Sequence, residues 1–168
     1  MRIFEEKQWF NQWWVHVINL SLLGALFYFL YKWYIVSESV DKVSATDYSG
    51  QILVIALLIL SIGLLYIFKL KTTIDEKGIH YRFIPFHRKT KTISWQDLEI
   101  CEVRKYNPLS EYGGWGYKFN LSGEGALNVK GNMGIQLKLK SGKKLLIGTQ
   151  KPKDAQLVID RYLKNEKI

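Results

Sequence analysis

Two long apolar runs near the start of this chain constrain its fold more than any other feature. The first, Trp13–Val36, has 24 residues with Lys32 as its only formal charge. The second, residues 51–68, has 18 residues and no charge. At a rise of about 1.5 Å per residue, the two runs extend about 36 and 27 Å, close to a hydrocarbon core of about 30 Å. Because a backbone in lipid must satisfy its own hydrogen bonds, the runs predict transmembrane helices at about 10–36 and 51–69.

Aromatic side chains cluster at both ends of the first run. Such rings favour the headgroup level of a bilayer because they combine an apolar body with a polar edge. Lys32 lies one turn from the end of the run, so we expect its ammonium group to reach outward to the interface. The preceding segment has no net charge and no small-residue cleavage pattern follows, which favours a membrane helix over a cleaved signal peptide. The predicted interface anchors are Trp9, Trp13, Trp14, Trp33 and Tyr34.

The charges around the two runs predict their orientation. The connecting loop, residues 37–50, has three acidic residues and one Lys, whereas Lys69 and Lys71 follow the second run directly. Positively charged flanks stay on the cytoplasmic side of a membrane. The sequence therefore predicts a multi-pass membrane protein, with residues 1–70 as a transmembrane hairpin, an external loop at 37–50 and both termini in the cytoplasm.

The rest of the chain, residues 71–168, shows the period-two alternation of β-strands. Ile79, Tyr81 and Phe83 alternate with polar residues, and residues 115–121, 133–139 and 143–149 show the same pattern. Weaker strand patterns occupy residues 72–75, 90–95 and 99–106. From Pro152 the apolar residues recur at helical spacing. This order predicts a mainly-β cytoplasmic domain of about seven antiparallel strands, in a partly open barrel or sandwich, with one C-terminal capping helix.

Four segments carry a resemblance to a known group. They are GIHYRFIPFHRKTKTISWQDLE at 78–99, RKYNP at 104–108, EYGGWGYKF at 111–119 and KKLLIGTQKP at 143–152. Together with the preceding hairpin, they resemble the bacterial pleckstrin-homology (PH)-like domain proteins that have an N-terminal two-helix transmembrane hairpin, a largely uncharacterised group. The resemblance implies the PH-like fold and a location in the inner membrane of a bacterium, and it implies no particular activity. The first hairpin turn, at 75–78, is short and acidic, unlike the basic pattern of phosphoinositide-binding PH domains, so phosphoinositide binding is not implied.

The second hairpin loop of the domain is the first candidate site. Lys71 leads straight from the second apolar run into the first strand, so an up-and-down meander returns this loop to the membrane end. Apolar rings in the interface with cations on phosphates would form a membrane-facing rim. The alternative is that the rings are core residues and the cations are only solvated. The rim residues are Phe86, His87, Arg88, Lys89 and Lys91.

A second candidate site is an aromatic patch for a protein partner. Aromatic residues supply much of the binding energy of protein interfaces. The alternative is that Trp115 begins a strand and fills the core, with the neighbouring glycines making a tight turn or bulge. The patch consists of Tyr106, Leu109, Tyr112 and Trp115.

Several function classes are not expected. The single cysteine, Cys101, excludes an internal disulfide and a multi-cysteine metal site, and its apolar neighbours indicate a small buried residue. No nucleophile or zinc-hydrolase motif occurs, so we expect no enzyme activity, no metal and no cofactor. Residues 72–168 hold 18 Lys and Arg against 10 Asp and Glu. The anionic lipids of the membrane attract this positive charge in a membrane-tethered domain, so the charge does not require a nucleic-acid partner, and none is expected.

These patterns predict a non-catalytic, membrane-anchored binding or scaffold module. The PH-like domain would be held at the cytoplasmic leaflet to engage lipid headgroups, anionic ones included, or an unknown protein partner. The alternative is a self-assembling structural membrane protein that forms homo-oligomers.

Overall fold

The structure, a computed structural model, describes residues 3–119 and 124–166 and consists of two compact units. A β unit contains the N-terminal segment ending at Phe10 and the chain from Phe68 onward, and a helical unit contains Asn11–Ile67. This division differs from the expected boundary between residues 70 and 71. The reason is that the residues before Phe10 form a strand of the β unit.

The helical unit contains two helices. Helix α1, Trp13–Tyr31, continues as a π-helical segment, Lys32–Val36, and a loop leads to α2, Tyr48–Ile67. Trp13–Val36 is the one helix in the described part of the chain whose length and apolar composition suit a membrane span, and Tyr48–Leu64 is a shorter apolar helix. Of the two predicted membrane spans, the first is therefore a candidate span by length and composition, and the second is a shorter apolar helix.

The first sheet of the β unit has four antiparallel strands in chain order. They are β1, Phe4–Trp9; β2, Lys69–Asp75; β3, Gly78–Ile84; and β4, Lys91–Ser94. Along β3, Ile79, Tyr81 and Phe83 are buried while the residues between them are half-buried, which is the alternation expected from the sequence.

The second sheet has five strands in the order β5-β8-β9-β7-β6. They are β5, Leu98–Lys105; β6, Gly116–Phe119; β7, Glu124–Asn128; β8, Met133–Leu139; and β9, Lys144–Gly148. Strands β7 and β9 are parallel, and the other pairs are antiparallel. A short helix α3, Pro108–Tyr112, connects β5 to β6, and α4, Pro152–Glu166, closes the chain.

The strand count and pairing differ from the expectation of about seven antiparallel strands. The described residues contain nine strands in two open sheets and no closed barrel. Strand β1 precedes the apolar runs, and β7 lies between the strands expected at 115–121 and 133–139, where the sequence predicts no strand. Residues 120–121 of the strand expected at 115–121 lie outside the described residues.

The core lies between the two sheets. Leu70, Phe83, Ile135 and Leu137 are fully buried there. The C-terminal helix packs on this core, with Ile159 fully buried, which fits the amphipathic pattern of the last segment. The fold is therefore mainly β with a C-terminal helix.

Candidate membrane-facing site

The two points at which the chain leaves and re-enters the β unit are neighbours. Strand β1 ends at Trp9, and β2 begins at Lys69, directly opposite in the sheet. The Lys69 ammonium nitrogen lies 5.2 Å from the centroid of the Trp9 ring, a cation–π contact. One residue further out on each strand, the rings of Phe10 and Phe68 meet edge-to-face with centroids 5.8 Å apart.

An aromatic group extends from this point, and we call it the junction cluster. Phe86 stacks against Phe68 with centroids 5.9 Å apart and against Tyr117 with centroids 4.6 Å apart. Tyr117 in turn packs on Phe119 at 4.9 Å. Phe86 is 55% exposed and Phe119 is 50% exposed. The end of the β unit that joins the helices thus presents an apolar aromatic surface. The junction cluster consists of Phe10, Phe68, Phe83, Phe86, Tyr117 and Phe119.

His87 holds the turn between β3 and β4 in place. Its backbone N–H donates to the Phe83 carbonyl at 2.7 Å, and its Nδ1 accepts the Phe83 N–H at 3.1 Å. Arg82 donates its Nε to the His87 carbonyl at 3.1 Å. Burial, with a smaller effect from Lys91, lowers the pKa of His87, in agreement with a ring nitrogen that acts as an acceptor. These bonds orient the turn so that Phe86 points outward.

The structure therefore divides the expected rim. His87 is buried, with its ring edge-on to those of Tyr81 and Tyr117, so it does not form part of an exposed rim. The other four rim residues are exposed: Phe86, Arg88, Lys89 and Lys91.

The expected interface anchors also fall into different environments. Trp9 belongs to the β unit and is 44% exposed, and in the helical unit Trp13 and Tyr34 are exposed. Trp14 is half-buried. Trp33 is buried and stacks on Phe29 with ring centroids 5.5 Å apart, so its side chain packs inside the helical unit and is not exposed.

The expected partner patch is not a continuous exposed surface. Tyr106 is buried, and its hydroxyl accepts a hydrogen bond from Asn128 Nδ2 at 2.9 Å. Burial raises the pKa of Tyr106 to about 12. Tyr112 packs edge-on against it, and Trp115 is half-buried and donates its Nε1 to the Gly131 carbonyl at 2.9 Å. Of the four residues, Leu109 alone is largely exposed.

Helix α3 presents Leu109 on a braced support. Asn107 caps the helix by accepting the N–H groups of Leu109 and Ser110. Arg104 forms an ion pair with Glu111 at 2.8 Å, and the hydrogen bond from Arg104, followed by that from the Asn107 N–H, lowers the pKa of Glu111. An open groove of about 760 Å³ runs beside this helix, between Asn107 and Trp115. This surface is a secondary candidate for binding.

One polar network joins an aspartate, a histidine and a threonine, but the two ring nitrogens are exchanged relative to a hydrolase triad, in which the carboxylate binds Nδ1 and the hydroxyl binds Nε2. His80 contacts Asp75 Oδ1 through Nε2 at 2.9 Å and Thr92 Oγ1 through Nδ1 at 2.8 Å. Burial opposes ionisation of Asp75, but bonds from His80 and from backbone N–H groups outweigh it and lower the pKa of Asp75. Because the network links β2, β3 and β4 directly, it braces the first sheet.

The remaining reactive groups do not form a chemical site. Cys101 is buried, and desolvation raises the pKa of its thiol to about 12. A thiol in that state is a poor nucleophile. Among the described residues, no three His, Cys, Asp or Glu side chains come together in a way that could hold a metal ion.

Sequence reasoning missed most of the junction cluster. The sequence pattern places Phe10 and Phe68 in the predicted membrane helices, and Tyr117 and Phe119 in the strand predicted at 115–121. A signal did exist, since aromatic residues mark the chain on both sides of the apolar runs. Only the pairing of β1 with β2 brings them together.

The fold and site define a class of protein. A mainly-β unit is interrupted in sequence by an apolar helical segment, and it carries an aromatic surface where the chain leaves and re-enters it. Residues 3–162 match the family model of DUF6141, a family of unknown function, and the chain belongs to that family. No curated protein matches the chain.

Proposed function

We propose that this chain is an integral membrane protein of a bacterial inner membrane in which α1 and α2 both cross the bilayer. One observation carries the proposal: Trp9 at the end of β1 pairs with Lys69 at the start of β2. Neighbouring strands of one sheet lie on the same side of a membrane. The chain between them must therefore cross an even number of times. If the candidate span Trp13–Val36 crosses once, α2 supplies the return.

The surfaces of both helices support this proposal. Trp13 is 76% and Leu20 70% exposed on α1, and Ile52 is 67% and Leu60 62% exposed on α2. Apolar side chains exposed along a whole helix are costly in water and favourable in lipid. The 20 residues of α2 extend about 30 Å at the usual helical rise, which suffices for a second span.

The orientation follows from the flanking charges. Lys69 and Lys71 begin β2, whereas the loop between the helices is acidic. The positive-inside preference therefore assigns the β unit and both termini to the cytoplasm and the loop to the outside. Lys32 lies near the other end of the first span, next to the acidic loop. Its ammonium group forms an ion pair with Glu38 of that loop at 2.5 Å.

The β unit is then a non-catalytic binding or scaffold domain at the cytoplasmic leaflet. Its two sheets and C-terminal helix are compatible with a PH-like domain, to which β1 and β7 are additions. Phe86 and Phe119 enter the interfacial region beside the cations of the β3–β4 turn, and these contacts fix the orientation of the domain. The exposed Leu109 on α3 faces a protein partner.

Self-assembly into homo-oligomers remains a second candidate, favoured by one observation. A methyl group added at Gly24 or Gly63 would meet no atom within 4 Å, so neither glycine is used for packing inside the helical unit. Small residues on an uncovered helix face allow close approach of another membrane helix. Crosslinking in native membranes separates the candidates: multiples of the chain mass indicate assembly, and one heterologous band indicates a partner.

The position of Phe86 tests the membrane contact. A nitroxide label would replace Phe86 as Phe86→Cys, in a Cys101→Ser background, in proteoliposomes of the full chain. The matched control is Leu109→Cys, another exposed apolar residue of the same unit. We expect the label at 86 to be accessible to oxygen and protected from a water-soluble nickel reagent, and the label at 109 to show the reverse. Equal nickel accessibility at both positions would contradict the proposed contact.

A further inference from the structure

A row of three cations crosses the outer face of the first sheet. Lys7 on β1 lies directly opposite Lys71 on β2, and Lys71 lies directly opposite Arg82 on β3. All three positions belong to the outward face of their strands, because Lys7 is exposed, Lys71 and Arg82 are half-buried, and the alternating neighbours are buried. Adjacent strands are about 4.8 Å apart, so the row is about 10 Å wide.

The three positive charges of this row lie side by side on neighbouring strands. Like charges placed directly across a sheet destabilise it. In the part of the chain that the structure describes, none of the three forms an ion pair. Arg82 is nevertheless held in position, since its Nε donates to the His87 carbonyl at 3.1 Å, and this bond does not use the donors of its two terminal guanidinium nitrogens. Such a row favours an anion supplied from outside the chain.

The location of the row indicates which anion. The next outward-facing row contains Trp9, Lys69 and Ile84, and there the chain passes into the helical unit. Successive outward rows are about 7 Å apart along a strand. If the apolar helices span the membrane, the cations stand about one row from the interfacial aromatics, at the level of the lipid phosphates.

We propose that Lys7, Lys71 and Arg82 bind the phosphate group of an anionic glycerophospholipid in the cytoplasmic leaflet. This site deepens the proposed function and rests on it. It is separate from Arg88 and Lys89 in the β3–β4 turn and from Lys91 at the start of β4, because it uses the outer face of the sheet instead of its end. The two lysines supply mobile point charges, and the guanidinium group supplies a fixed pair of donors suited to phosphate oxygens.

Native mass spectrometry of the full chain in detergent tests the site. The probes are phosphatidylglycerol, phosphatidylcholine and inorganic phosphate. The test variant is Lys7→Gln with Lys71→Gln, and the matched control is Lys140→Gln with Lys143→Gln, which removes the same charge from an exposed turn of the second sheet. At about fivefold per cation near an anionic lipid surface, we expect the test variant to bind phosphatidylglycerol about 25-fold more weakly. The control variant should bind as the wild type does.

The outcomes separate this site from the proposed function. Equal binding of phosphatidylglycerol by the two double variants would overturn the phosphate site, and so would a preference for inorganic phosphate over the lipid, which indicates a soluble ligand. Alkaline extraction of membranes from expressing cells provides the independent readout. If the wild-type chain is extracted as a peripheral protein, the proposed function fails; if it stays integral and the variants bind alike, only the phosphate site fails.

Discussion

Thr149 donates its hydroxyl hydrogen to Glu6 Oε2 at 2.7 Å, although 143 positions separate the two residues in the chain. The Gln150 N–H donates to the other oxygen of the same carboxylate at 2.8 Å, and Gln8 donates its amide to the Gly148 carbonyl at 2.7 Å. These bonds attach β1 to the end of β9. The N-terminal strand is therefore an integral part of the β unit, and a fragment that starts at residue 72 would lack β1 and cut through β2.

Replacing Thr149 with valine keeps the shape of the side chain and removes one donor to a buried carboxylate, together with the acceptor of the Lys151 N–H at 3.1 Å. A hydrogen bond to a charged group contributes about 1.5–3 kcal/mol, and we expect the Thr149→Val variant to lose that much free energy of unfolding. Urea unfolding of the full chain in detergent measures the loss. Thr73→Val, on the outer face of β2, is the control and should change stability little. Equal effects of the two substitutions would show that the Glu6 bond has no special weight.

The strands that the sequence predicts are those in which buried apolar residues alternate with more exposed residues. Every second residue of these strands points into the core, so the period of two can be recognised in the sequence. Examples are Ile79, Tyr81 and Phe83 on β3 and Ile135 and Leu137 on β8. The final helix was visible for the same reason, since its apolar residues recur at the period of a helix.

Strands β1 and β7 were not predicted because polar residues fill part of their buried faces. The inward face of β1 contains Phe4, Glu6 and Gln8, and only the hydrogen bonds to residues 148–150 make the burial of the last two acceptable. On β7, Asn128 is fully buried and bonds both the Gly116 N–H and the Tyr106 hydroxyl. Partners so distant in sequence cannot be inferred from local periodicity.

The sequence indicates the residues of the candidate site that lie in one loop. It does not indicate those that are brought together by the pairing of strands distant in sequence. The turn sequence indicates Phe86, Arg88 and Lys89 as a rim, and the structure shows that these residues are exposed; their contact with a membrane stays a prediction. His87 was misassigned because its role, an acceptor for the Phe83 N–H, exists only after the turn has closed. The cation row of Lys7, Lys71 and Arg82 requires the register of three strands, one of which precedes the apolar helices.

His87 makes stability depend on pH in a defined window. Its folded-state pKa is lowered by burial, so the unfolded chain binds the proton more readily. The stabilisation is complete above the unfolded pKa of about 6.5 and is lost as the pH falls below that value. Against a non-titrating His87→Gln variant, the wild type should lose unfolding free energy as the pH falls below about 6.5. A constant difference across this range would contradict the role of the neutral ring.

Cys101 should be inert in the folded protein. Burial raises the pKa of its thiol to about 12, so little thiolate exists at neutral pH and reagents have little access. A maleimide at pH 7.5 should label the native chain slowly and the urea-unfolded chain fully. Ser141→Cys, on an exposed turn, is the control and should react rapidly in both states. Rapid native labelling of Cys101 would place this thiol at the surface.

The sidedness of two introduced cysteines tests the central claim that both helices cross the membrane and return the chain to the cytoplasm. In a Cys101→Ser background, Thr46→Cys marks the loop between the helices and Ser141→Cys marks the β unit. A membrane-impermeant maleimide is applied to intact bacterial cells and again after permeabilisation. The account predicts labelling of Thr46→Cys in intact cells and of Ser141→Cys only after permeabilisation. Labelling of both cysteines under the same condition would place the loop and the β unit on one side and contradict two membrane crossings.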